Sequence, residues 1–131
     1  MLKKIVKVFF ILLTGLIVTA CSSGGEKVDE KTAKKYEAKA EDVVKNLNHQ
    51  EYSKMIAQFD SKMKKSLTEE KLKELEPTIA EAGEYKSITK SSVEKIEEMY
   101  KVVLVTKYEN AKLTYTISFN DKDQLSGLYV K

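Results

Sequence analysis

Apolar residues recur every three or four positions from Tyr36 to Ile79, and every second position from Tyr100 onward. Tyr36, Ala40, Val43, Val44 and Leu47 share one helical face and predict a helix over about 32–48. Asn48 is a residue that ends helices well. Tyr52, Met55, Ile56 and Phe59 repeat the spacing from near Glu51, and Met63 and Leu67 extend it less regularly. Asp60-Ser61 is expected to break this stretch into two short pieces. Thr68 offers the hydroxyl of an N-cap, and Glu69 and Glu70 follow where the helix dipole favours acids. Leu72, Leu75 and Ile79 form a third stripe. Pro77 lies inside it and should kink or restart the helix, because proline removes an internal hydrogen bond. Gly83 is a natural C-cap.

After Gly83 the period becomes two. Tyr100, Val102, Leu104, Thr106 and Tyr108 alternate with Lys101, Val103, Val105, Lys107 and Glu109. Leu113, Tyr115, Ile117 and Phe119 alternate with Lys112, Thr114, Thr116 and Ser118. These are two half-buried strands joined by a turn at Asn110-Ala111. Asn120-Asp121-Lys122-Asp123 makes the next turn and Leu125 to Val130 the last strand. Tyr85 to Ile96 reads as the first strand, with a poor pattern. Helices followed by an antiparallel meander define an α+β fold.

The start of the chain follows neither rule. Lys3, Lys4 and Lys7 precede a run of thirteen residues from Val8 to Ala20, interrupted at Thr14 and Gly15. A membrane-spanning helix needs about 20 apolar residues. A basic start, a short apolar middle and small residues before a cut site make a secretory signal. Here the small residue Ala20 stands before Cys21, the only cysteine. That arrangement predicts a lipoprotein signal cut between Ala20 and Cys21, with Cys21 carrying fatty acyl chains such as palmitate. The other reading is an uncleaved anchor helix, which also ends on the membrane. The domain division is then 1–20 signal peptide, 21–31 lipidated cysteine and flexible tether, and 32–131 a single α+β domain. Ser22-Ser23-Gly24-Gly25 supplies the flexible part.

This address changes how the charge is counted. The chain has 23 Lys and 20 Asp plus Glu, and no Arg. The signal holds three of the lysines, so the exported part balances. Without arginine it lacks the bidentate contacts favoured for phosphate and guanine, and nucleic acid is not an expected partner. With Cys21 lipidated no disulfide can form, so the domain must fold by packing alone.

Leu47-Asn48, Glu51-Tyr52, Phe59-Asp60, Leu67-Thr68-Glu69-Glu70-Lys71-Leu72 and Gly83-Glu84-Tyr85 together resemble a small exported domain family of unknown function. It is found in Gram-positive lipoproteins and ahead of some α/β-hydrolases. The resemblance spans roughly 40–129. It implies a nuclear-transport-factor-2-like cone, with a curved sheet wrapped over the helices, and carries no catalytic residues with it.

Candidate chemistry is sparse. His49 is the only histidine, no G-x-S-x-G is present, and His49 sits at a helix end where a cap or surface role suits it. One Cys and one His do not make a zinc site. Asn120 to Asp123 lacks the glycine and distal glutamate of a calcium loop and reads as a turn. Glu69, Glu70, Glu74, Glu76 and Glu81 read as a solvated helix face. Tyr100, Tyr108 and Tyr115 share the apolar strand face. Buried phenols need hydrogen-bond partners, so these three are the candidate lining of a pocket between sheet and helices; the alternative is ordinary cross-strand aromatic pairing.

The expected protein is therefore a membrane-anchored extracytoplasmic lipoprotein with a non-catalytic binding or interaction domain. Membrane lipid is its partner through Cys21, and its ligand is a small molecule, a peptide or an envelope protein. No cofactor or metal is expected. The alternatives are an enzyme-like pocket of the cone fold and a structural envelope component.

Overall fold

Asp29 opens the first long helix by accepting a hydrogen bond from the Thr32 amide at 3.1 Å and another from the Thr32 hydroxyl at 2.7 Å. The computed structural model describes residues 26–131. The signal run, Ala20, Cys21 and Ser22 to Gly25 lie outside the described residues. Glu26–Lys27 form a two-residue strand (β1), and Glu30–Asn48 the helix (α1). The stretch expected to be tether is thus partly folded. Glu26 and Lys27 pair with Lys95 and Glu94, and Glu30 and Lys31 already belong to the helix. The cap moves the helix start ahead of Thr32, because Asp29 satisfies an otherwise orphaned first-turn amide.

Four short helices follow. They are Tyr52–Ile56 (α2), Ser61–Ser66 (α3), Glu69–Lys73 (α4) and Glu76–Ala82 (α5). The break expected at Asp60-Ser61 is real, and Asp60 caps α3 by accepting from the Met63 amide at 2.8 Å. Thr68 caps α4 through its hydroxyl. Pro77 sits in the first turn of α5, where a missing amide proton costs nothing, so the helix restarts there.

The sheet is an antiparallel meander in the order β1-β2-β3-β4-β5, with Tyr85–Ile96 (β2), Met99–Tyr108 (β3), Lys112–Phe119 (β4) and Leu125–Val130 (β5). One face carries Val102, Leu104, Thr106 and Tyr108 from β3 and Leu113, Tyr115, Ile117 and Phe119 from β4, all buried. Against it lie Tyr36, Ala40, Val43, Val44 and Leu47 of α1, with Tyr52, Met55, Phe59 and Leu72 from the later segments. Thr106 is the one polar member, and its hydroxyl donates to the Leu113 carbonyl at 2.7 Å.

The expected cone is not found. The sheet is α+β and antiparallel, but it neither closes nor curls around the helices. β1 and β5 remain at opposite edges and do not pair. With only two and six residues, these outer strands leave little sheet to wrap. β2 is exposed along most of its length, with Val93 its one buried residue.

Candidate functional site

The end of α1, the end of α5 and the start of β2 converge where two backbone features, at Gln50 and Gly83, turn the chain sharply. Gln50 follows α1 with φ of 58°, in the left-handed region, and turns the chain toward α2. Gly83 ends α5 with φ of 89°. A Cβ on Gly83 would stand 2.9 Å from the Glu109 Cβ and 3.0 Å from the Asn110 Nδ2. Glycine is required both for the dihedral and for this close approach. The β3–β4 turn is then tied down: the Asn110 amide donates to the Ala82 carbonyl at 2.7 Å and the Glu109 amide to Glu84 at 2.8 Å.

Between these elements lies a cleft of about 470 Å³. Leu47 and Ile79 supply its apolar surface; Asn48, His49, Glu76, Glu84 and Tyr85 supply its polar edge. A smaller recess of about 110 Å³ adjoins it, sharing Asn48, His49 and Tyr85 and adding Glu41 and Lys45. Tyr85 is 38% exposed, and its ring meets Tyr108 edge-on, with centroids 5.5 Å apart. Burial, and then the Glu41 carboxylate, push its phenol above the ordinary value.

A chain of hydroxyls connects this cleft to the core. Tyr108 donates to the Asn48 Oδ1 at 2.8 Å, and the Tyr108 and Tyr115 hydroxyls are 2.6 Å apart. A phenol has one proton. Since Tyr108 gives its proton to Asn48, Tyr115 must donate to Tyr108. Burial and that hydrogen bond hold the Tyr115 phenol well above its usual range. With its carbonyl engaged, Asn48 has its NH₂ to offer the cleft. On the opposite wall Tyr52 donates to Glu76 Oε2 at 2.5 Å. Burial, and then that contact, raise Tyr52 to about 12. Both polar walls are held by buried tyrosines.

The three tyrosines expected to share a pocket are divided. Tyr108 and Tyr115 are sealed in the core behind the cleft. Tyr100 lies at the other end of the sheet, stacked on Tyr36 with centroids 4.2 Å apart. There Tyr36 donates to Asp123 Oδ1 at 2.5 Å, and Lys35 pairs with the same carboxylate at 2.8 Å. These hydrogen bonds hold Asp123 below the usual carboxylate range. Asp123, expected only as a turn residue, thus ties the β4–β5 turn to α1.

Other expectations shift in detail. His49 caps α1 through its backbone and also lines the cleft. Glu76 leaves the solvated acidic face to hold Tyr52. Asn48, expected as a helix stop, is also the partner of Tyr108. Sequence spacing carries no signal for these long-range pairs. Among the described residues no group of three or more His, Cys, Asp or Glu could hold a metal ion, and no helix is long and apolar enough to cross a membrane.

The fold and site define a small α+β domain with a polar-edged cleft at one end. Residues 40–128 match the family described as protein of unknown function DUF3887, and the chain belongs to that family. The family expected from the sequence is thus shown, while the cone shape attached to it is not. No curated protein matches the chain. Among solved structures, the chain is similar to one described as an NMR structure of a protein from Ruminococcus gnavus ATCC 29149. The two are 20% identical with a TM-score of 0.67, covering 80% of this chain and 96% of that one. At that identity the likeness is one of fold.

Proposed function

We propose that this chain is a lipoprotein held on the extracytoplasmic face of a cell membrane through Cys21, and that its domain binds a small polar molecule or a short peptide in the cleft without transforming it. The single observation that carries the binding role is the 470 Å³ cleft with polar walls braced from behind by buried tyrosines. Such bracing fixes side chains before a ligand arrives, which reduces the ordering cost of binding. Asn48 would donate to an acceptor on the ligand, Glu76 and Glu84 would meet a donor or cation, and the Tyr85 ring would cover an apolar part. Glu76 and the Asn48 carbonyl are already engaged by tyrosines, which suits them to holding a ligand more than to moving protons. The anchoring role rests on Lys3, Lys4 and Lys7, the short apolar run and Ala20-Cys21.

Ala80 is exposed and lines the cleft, so Ala80→Trp fills it without touching the core. A thermal-shift screen of the 26–131 domain against amino acids, nucleosides, short peptides and sugars is expected to give stabilising hits that Ala80→Trp loses. Hits that Ala80→Trp retains would place binding elsewhere. Chemical turnover of a hit would overturn the non-catalytic reading.

A further inference from the structure

The described fold begins much closer to the lipidation site than the sequence implies, and it begins at one particular end. Glu26 pairs with Lys95 and Lys27 with Glu94. β2 runs from Tyr85 beside the cleft to Ile96 at the hairpin tip, and β1 runs antiparallel to it. The chain therefore enters the domain from the hairpin-tip side. The start of α1 and the β4–β5 turn lie at that same end, joined by the Tyr36–Asp123 and Lys35–Asp123 contacts and the Tyr36–Tyr100 stack. The cleft lies at the opposite end, past the last turn of α1. Nineteen residues of α1 separate the two ends, a distance of about 28 Å at 1.5 Å per residue.

We propose that the end formed by β1, the β2–β3 hairpin tip and the β4–β5 turn rests against the lipid headgroups, and that the cleft is thereby held on the far side of the domain, facing away from the membrane. The proposal rests on the lipoprotein reading. Given a lipid on Cys21, only residues 22–25 stand between it and the first strand. At about 3.5 Å per residue, the steps from Cys21 to Glu26 reach roughly 17 Å even when fully extended. That is shorter than the domain itself, so the domain has little room to roll over and bring its cleft to the surface. The surface at the near end suits an interface of mixed charge. Lys27, Lys31 and Lys95 stand among Glu26, Glu97 and Glu98, and Met99 is 39% exposed at the hairpin tip. The tether supplies the orientation, and no net charge is needed for it.

The experiment uses the full lipidated chain. With Cys21 acylated, an introduced cysteine is the only free thiol. Glu98→Cys and Lys122→Cys place a thiol-reactive fluorophore at the near end; Glu81→Cys and Ala111→Cys place it at the cleft end, all at exposed positions. Each labelled protein is reconstituted into phosphatidylcholine–phosphatidylglycerol vesicles containing a headgroup-linked nitroxide quencher. Quenching is expected to be severalfold stronger for Glu98→Cys and Lys122→Cys than for the other two. Equal quenching at all four sites, or stronger quenching at Glu81→Cys and Ala111→Cys, would overturn the orientation. Lengthening the tether with a Gly-Ser insert after Ser23 is expected to remove the contrast; a contrast that survives would overturn the tether as its cause. Fatty-acid labelling of the wild type and Cys21→Ala tells failure of the anchor from failure of the orientation. Absence of label on wild type removes the lipoprotein reading and the orientation with it. Label without contrast overturns the orientation alone.

Discussion

Tyr108 illustrates how one hydroxyl can serve the core and the cleft together. It is almost wholly buried, its oxygen accepts from Tyr115, and its proton goes to Asn48, which lines the cleft. Removing that oxygen leaves the buried Tyr115 hydroxyl, and the half-buried Asn48 carbonyl, without their partner. A buried unsatisfied group costs about 1–3 kcal/mol, so Tyr108→Phe is expected to destabilise the domain by that order. Tyr129 is 62% exposed, and Tyr129→Phe is expected to stay within about 0.5 kcal/mol of wild type. Denaturant melts of the two variants measure the difference, and similar midpoints would contradict the hydroxyl chain. The strand face of Tyr108 and Tyr115 is legible in the period-two pattern. Their partners are not: Asn48 is 60 residues away from Tyr108, and periodicity reports which face a residue takes, not what it meets there. The same holds for Tyr36 with Asp123 and Tyr52 with Glu76.

At the scale of elements, local chemistry sets most boundaries. Asp29, Asp60 and Thr68 each cap a helix through a side-chain oxygen, and Pro77 marks a restart. These signals are short-range, which is why the break before α3 and the start of α4 can be read directly; α1 is legible from its apolar stripe, and its cap at Asp29 starts it ahead of the expected Thr32. β1 could not be: two residues have no period, and Glu26 and Lys27 join the sheet only because β2 offers an edge. β2 itself reads poorly because it is exposed and only Val93 is buried. Lys86 and Lys90, on the part of β2 that β1 does not cover, discourage pairing with another chain's edge. Gly83 joins the helical and strand halves. Alanine there would have to adopt a φ of 89° and press against Glu109 and Asn110. Gly83→Ala is expected to cost more than about 1 kcal/mol and to loosen the cleft; wild-type stability in a thermal melt would contradict the close packing described for this turn.

For the whole molecule, sheet curvature is the property that the family resemblance misstated. Alternation fixes which side chains face the helices but contains no measure of bending, and the cone came with the family resemblance. The short outer strands leave an open sheet instead. The two ends of the domain are expected to respond to pH in opposite ranges. Hydrogen bonds from Lys35 and Tyr36 lower Asp123, so the folded state holds its proton less tightly than the unfolded chain. That stabilisation is complete above the ordinary carboxylate value of 3.8 and is lost as pH falls through the lowered folded value. Tyr52 behaves in the reverse sense. Its contribution is complete below the ordinary 10.0 and is lost as pH rises through about 12. Asp123→Asn is expected to flatten the acid limb of stability against pH, and to alter the alkaline limb through Tyr36, whose phenol is held up by burial and then by Asp123. Melts across the acid and alkaline ranges check this, and an acid limb identical to wild type would contradict the role given to Asp123.

The central claim is that the cleft between α1, α5 and β2 is where this domain binds. It is tested most directly by a fragment screen read through amide chemical shifts of the labelled 26–131 domain, which works with the ligand still unidentified. The expected result is that hits converge on the amides of Asn48, His49, Gln50, Glu84 and Tyr85. Hits that instead converge on the Tyr36–Tyr100–Asp123 end, or a screen in which no fragment moves the cleft amides, would contradict it.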